Sequence, residues 1–166
     1  VEALSDQVQG FKSQIKALLK ESKLQEAIKV AARKYDSVTF EDSQLREQVT
    51  LVHWWVKAHS LGADLLTLAS KCLTKVNTLI NAIQTSAPST FKKADEVTEM
   101  SALEVNQCLA ELLYLKRVVE TQVQLNNAED ILKVMEDTLM NKEETKGDLL
   151  VLKYYIKALQ RFDKFQ

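Results

Sequence analysis

Three glycines and one proline are all that 166 residues contain, where average usage would supply about twenty of the two together. Turns must therefore be few and elements long, which favours helices over strands. The length suits a single domain, residues 1–166, with a core that removes roughly two-thirds of the unfolded surface from water. A formal charge of −1 gives no bulk attraction towards a polyanion. No apolar run approaches the roughly 18 residues of a membrane span. Cys72 and Cys108 lie inside apolar helical patterns and not in a C-x-x-C pair, so they read as buried free thiols of a reducing intracellular compartment, cytoplasm or nucleus. The chain opens at Val1 with no signal-like stretch and reads as a fragment of a larger protein.

Apolar periodicity supplies the elements. Val1, Leu4, Val8, Phe11, Ile15 and Leu18 step by three and four, which predicts a first helix. Ser22 and Gln25 have the spacing of a capping box ahead of a short second helix with Leu24, Ala27, Ile28 and Ala31 on one side. Asp42 or Ser43 can cap a third, whose seam is Leu45, Val49, Val52 and Val56. Leu61-Gly62 reads as a break and Asp64 favours a new start, followed by the seam Leu66, Ala69, Leu73, Val76, Ile80 and Ile83. Thr85 to Thr90, with Pro88, is the clearest loop and a possible subdomain boundary. Ser101 and Glu104 form a second capping box before Val105, Cys108, Leu112, Leu115 and Val119. Asn126-Asn127 ends that helix and Asn127 can cap the next, whose stripe is Ile131, Leu132, Met135 and Leu139. Gly147-Asp148 introduces a last helix. The expected fold is all-α, a compact antiparallel bundle of about six helices.

The ingredients of catalysis are scattered. His53 and His59, six apart, point about 240° from one another round a helix and cannot share a metal on one face. The residues three before them are Thr50 and Val56, so the Glu-x-x-His unit of di-iron bundles is missing. With three isolated glycines there is no phosphate loop and no nucleophile elbow. The expectation is a chain that is no enzyme, with no catalytic residue, no metal and no cofactor.

Two segments carry more apolar surface than one seam requires. In VTLVHWWVKA, from Val49 to Ala58, the residues Leu51, Trp54, Trp55 and Ala58 add a second stripe beside the seam. Either this is a central helix covered on all sides, or one tryptophan faces a groove, since adjacent residues point about 100° apart. On the last helix Leu152, Ile156 and Leu159 form one stripe and Val151, Tyr155, Ala158, Phe162 and Phe165 another.

Charge is divided unevenly. Between Asp95 and Glu144 there are twelve acids and four bases, whereas Val1 to Lys34 holds seven bases and four acids. Lys12, Lys16 and Lys20 share one helical face, and Lys153, Lys157, Arg161 and Lys164 make a similar stripe. Both read first as solvated outer faces. If the terminal helices are neighbours, however, the two tracks merge into a patch for phosphates, anionic lipid or acidic protein tails.

Three functions follow as expectations. The first is a scaffold or adaptor module that binds a partner peptide or helix through apolar anchors, with Leu51, Trp54, Trp55, Tyr155, Phe162 and Phe165 as candidates. The second is an electrostatic adaptor that uses Lys12, Lys16, Lys20, Lys153, Lys157, Arg161 and Lys164 on nucleic acid, acidic protein tails or anionic lipid. The third is a spacer in a coiled-coil or spectrin-like array, although Tyr35 to Asp42 and Thr85 to Thr90 interrupt any continuous rod. Self-association is compatible with each.

Overall fold

The computed structural model describes residues 3–61, 65–123 and 128–163, the side chains of 65, 66, 88, 162 and 163 excepted. Seven α-helices follow one another: α1 (Leu4–Lys20), α2 (Leu24–Ser37), α3 (Leu45–Leu61), α4 (Leu65–Thr85), α5 (Ala102–Gln122), α6 (Ala128–Met135) and α7 (Leu149–Asp163). The fold is an all-α helical bundle. Among the described residues the β-structure is limited to a single isolated antiparallel bridge between Lys92 and Glu99.

The seams behave as their spacing requires. Val8, Phe11 and Ile15 of α1, Ala27 and Ala31 of α2, and Leu45, Val49, Val52 and Val56 of α3 are buried. α3 packs against α1, α2, α4 and α5, and α5 packs against α3, α4, α6 and α7, so these two helices form the centre. That position explains why α3 and α5 are buried on nearly every side while the outer helices are not. One cluster of apolar residues runs from Phe11 to Ala158 through every helix, and α4 and α5 pack on each other across the 85–90 loop.

Local chemistry differs from expectation at two helix starts. Ser22 does not cap α2: its φ is 60°, and it is the left-handed residue that ends α1. Lys23 N donates to Leu18 O at 2.8 Å and Ser22 N to Leu19 O at 3.1 Å, the bond pair of a Schellman turn. The backbone there closes the preceding helix, which removes the extended geometry an N-cap needs. Nor do Asp42 or Ser43 cap α3. That helix starts at Leu45, and the side chain of Gln44 accepts from Glu41 N at 2.8 Å instead.

The other expected signals hold. Ser101 and Glu104 make a reciprocal capping box at α5. Gly147, at φ 108°, turns the chain into α7, where Asp148 Oδ2 accepts from Leu150 N and Val151 N at 3.1 and 3.0 Å. The expected break after Leu61 lies at the end of α3, whereas Gly62, Asp64, Asn126 and Asn127 fall outside the described residues.

The acidic stretch after Pro88 folds as a tight reversal. Lys93 N donates to Thr98 O and Met100 N to Phe91 O, while Asp95 Oδ1 accepts from Val97 N and Thr98 N at its tip. Phe91 and Met100 bury their side chains beneath it. Lys92 N donates to Ser43 O at 2.9 Å, which pins the reversal beside the start of α3.

A candidate anion-binding cleft

Between α1 and α7, over α3 and α5, lies a cleft of about 530 Å³. Its floor is built on Glu111 of α5, which is buried in the core face of that helix. Arg46 Nη2 donates to Glu111 Oε1 at 2.9 Å, and His53 Nδ1 lies 2.9 Å from Oε2. A carboxylate accepts only, so Nδ1 of His53 carries the proton. The Tyr154 ring of α7 borders the same cleft. Burial pushes the Glu111 carboxyl up, but the His53 hydrogen bond and the charges of Arg46 and His53 outweigh it and hold the group below the usual carboxylate value. Burial pushes the Tyr154 hydroxyl up, and the neighbouring Glu111 charge adds to the shift.

The walls are cationic. Lys12 and Lys16 come from α1, Lys57 from α3, and Lys153 and Lys157 from α7. No carboxylate lies within 4.0 Å of any of these five ammonium groups among the described residues, although Lys23, Lys71, Lys92, Lys93 and Lys146 all have one. The five lie over aromatic faces or open space instead. Lys16 and Lys57 stand 5.4 and 5.0 Å from the centre of the Trp54 ring, and Lys153 and Lys157 stand 5.7 and 5.9 Å from that of Tyr154. Burial, then repulsion from Lys153 and Lys57, lowers the Lys157 ammonium pKa. The one acid on the lining, Glu111, is already committed to Arg46 and His53, so the lysines face the cleft with their charge uncompensated.

The structure thus brings Lys12, Lys16, Lys153 and Lys157 to one site, from two stripes at opposite ends of the chain. Lys20 does not line it, and Lys164 lies outside the described residues. Arg161 flanks the neighbouring recess with Lys57 and Lys157, its guanidinium donating to Thr121 Oγ1 and Gln122 Oε1 on α5.

The apolar candidates divide. Leu51 is buried in the core, and so is Trp55, which stacks on Tyr35 with ring centres 3.9 Å apart and meets His59 edge-on. Neither offers a surface to a partner, because α3 is covered on the side they share. Trp54, one residue away, is the tryptophan in the cleft. Tyr155 is half-buried and its hydroxyl donates to Glu136. The Phe162 side chain and Phe165 lie outside the described residues. The exposed apolar residues of α7 are Leu149, Ile156 and Leu159.

Arg46, Lys57, Glu111 and Tyr154 belong to the site without having been singled out from sequence, and His53 stands out there only as half of a metal pair. Lys57 alone had a local signal, three residues after Trp54 and so on the same helical face. Glu111 is 58 and 65 residues from its partners, a pairing no local pattern contains. Cys108 is buried and receives a long contact from Arg46 Nη1 at 3.5 Å. Burial pushes its thiol up to about 11, so it carries no thiolate at neutral pH. No group of three His, Cys, Asp or Glu side chains placed to hold a metal ion occurs among the described residues.

Fold and site together define an all-α bundle with a lysine-walled cleft. Compared with protein-family models, with curated proteins and with solved structures, the chain has no match in any of the three.

Proposed function

We propose that this chain is a non-catalytic binding module that holds a short anionic segment of a partner protein, acidic or phosphorylated, in the cleft between α1 and α7. The observation that carries this reading is the set of five lysines around one concave site, without carboxylate partners among the described residues. Clustered like charges cost free energy in the empty protein, and an anion with several charges relieves that cost. The cleft has the size of a small-ligand site. A concave site of this size suits a few side chains better than a flat bilayer or a duplex.

The test is titration of a fluorescein-labelled hexaglutamate peptide and a phosphoserine-containing analogue. Affinity should fall steeply as salt is raised, and Lys16→Glu combined with Lys157→Glu should weaken binding by about tenfold or more. Affinity insensitive to both changes would overturn the reading. Tighter, cleft-dependent binding of single-stranded DNA or of anionic vesicles would replace the protein partner with those ligands.

The exposed stripe of Leu149, Ile156 and Leu159 supports a second reading, a partner helix laid along α7. Ile156→Gln, which removes the apolar side chain without adding a charge beside Lys153 and Lys157, should weaken association with such a helix while leaving hexaglutamate binding in place.

A further inference from the structure

A second cavity of about 320 Å³ lies between the start of α1, the first turns of α3 and α5, and the 91–100 reversal. Val8, Ala94 and Met100 give it apolar walls, and Glu47 of α3 lies on its lining. Glu47 is only 6% exposed, and its Oε2 is buried with no hydrogen-bond partner among the described residues. Two cations border the same cavity, but each is engaged elsewhere. Arg46 pairs with Glu111 at 2.9 Å, and Lys93 pairs with Glu104 at 3.6 Å. Pair by pair these charges cancel, and the buried Glu47 carboxyl is left without a cation of its own among the described residues.

A carboxylate in that position is costly unless something donates to it. The missing group must carry N–H donors, preferably with positive charge, on a stem that fits apolar walls. An alkylguanidinium meets each requirement, because its planar fork donates two parallel bonds to one carboxylate and its methylene stem packs against apolar side chains. We infer that the Glu47 cavity is a binding site for a guanidinium-tipped side chain, an arginine of a partner peptide, which seats its fork on Glu47 and its stem against Val8 and Met100.

This site rests on Glu47 and stands apart from the lysine cleft, but the two adjoin. Gln9, Arg46 and Thr50 line both. Glu47 and Trp54 are seven residues apart on α3, about 10 Å along the axis, which an extended peptide covers in roughly three residues. Where the cleft also holds the acidic part of the same partner, the arginine therefore lies about three residues from it.

The experiment is a methyl-detected NMR titration of the whole chain with n-propylguanidinium, set beside its neutral isostere n-propylurea. The guanidinium should produce saturable shifts at the Met100 and Val8 methyls, and the urea should bind about tenfold more weakly or less. Glu47→Gln should remove the preference for the guanidinium. It leaves the fold intact because Gln replaces a carboxylate that makes no hydrogen bond to the protein, and an unchanged spectrum away from the cavity checks this. Ala94→Leu, on the exposed reversal, should block the cavity sterically without touching any charge. Equal binding of both ligands, binding retained in Glu47→Gln, or no saturable shift would each overturn the inference. None of these results bears on the lysine cleft, which hexaglutamate reports separately.

Discussion

Trp54 and Trp55 are neighbours with opposite surroundings, because a helix turns about 100° per residue. Trp55 is enclosed between Tyr35 and His59, whereas Trp54 lies under two lysines in the cleft. Trp55→Ala should therefore destabilise the protein by about 4 kcal/mol, through lost burial and the cavity left behind. Trp54→Ala should cost about 1 kcal/mol or less. Urea denaturation of the two variants measures the difference. Glu111 makes a second prediction at this scale. Its folded pKa lies below the ordinary value of 4.5, so the ionised group stabilises the fold above that value, and the contribution is lost as the pH falls through the lower folded pKa. Glu111→Gln should flatten the acid limb of the stability curve. It should also lower stability at neutral pH by about 1 kcal/mol, because charged hydrogen bonds from Arg46 and His53 are lost while the partly exposed Arg46 is left to water. The environment of one residue type thus decides its role, and the sequence gives that environment only where the contacts are local. The second apolar stripe of α3 was legible, but not which of its two tryptophans is core. Nor was the covering of Trp54 by Lys16, since Lys16 arrives from another helix.

Helix ends show the same division at the next scale. The capping box of Ser101 and the Gly147-Asp148 start depend on residues within four positions of each other, and both were readable in advance. Ser22 had the same letters as a cap but closes α1 in the left-handed region, because the direction in which α2 leaves is set by its packing on α1 and α3. Two substitutions with opposite sign test this account. Ser22→Gly should stabilise the protein by about 0.5 kcal/mol, because φ near 60° is strained for a residue with a Cβ. Gly147→Ala should destabilise it by about 1 kcal/mol. A Cβ there meets nothing within 4 Å, so the cost comes from backbone conformation alone. Thermal denaturation reads both.

For the molecule as a whole, the distribution of charge matters more than its sum of −1. α1 and α7 stand on either side of α3 and α5, so stripes separated by more than 130 residues of chain become facing walls. A multivalent anion that binds only the folded state should raise the melting temperature. Saturation about a hundredfold above Kd stabilises by about 2.7 kcal/mol. Sodium tripolyphosphate should show this effect on the native chain by calorimetry, and it should vanish in the Lys16→Glu, Lys157→Glu variant. The scarcity of glycine and proline, together with seams spaced by three and four, determined by itself that the chain is helical, where most helices run and which faces turn inward, because these are properties of neighbours along the chain. Which helices lie side by side is a property of burial summed over the whole core. That arrangement alone decided that α3 and α5 are central, that Leu51 and Trp55 are core while Trp54 lines a cleft, that Glu111 meets Arg46 and His53, and that Glu47 Oε2 is left without a hydrogen-bond partner among the described residues.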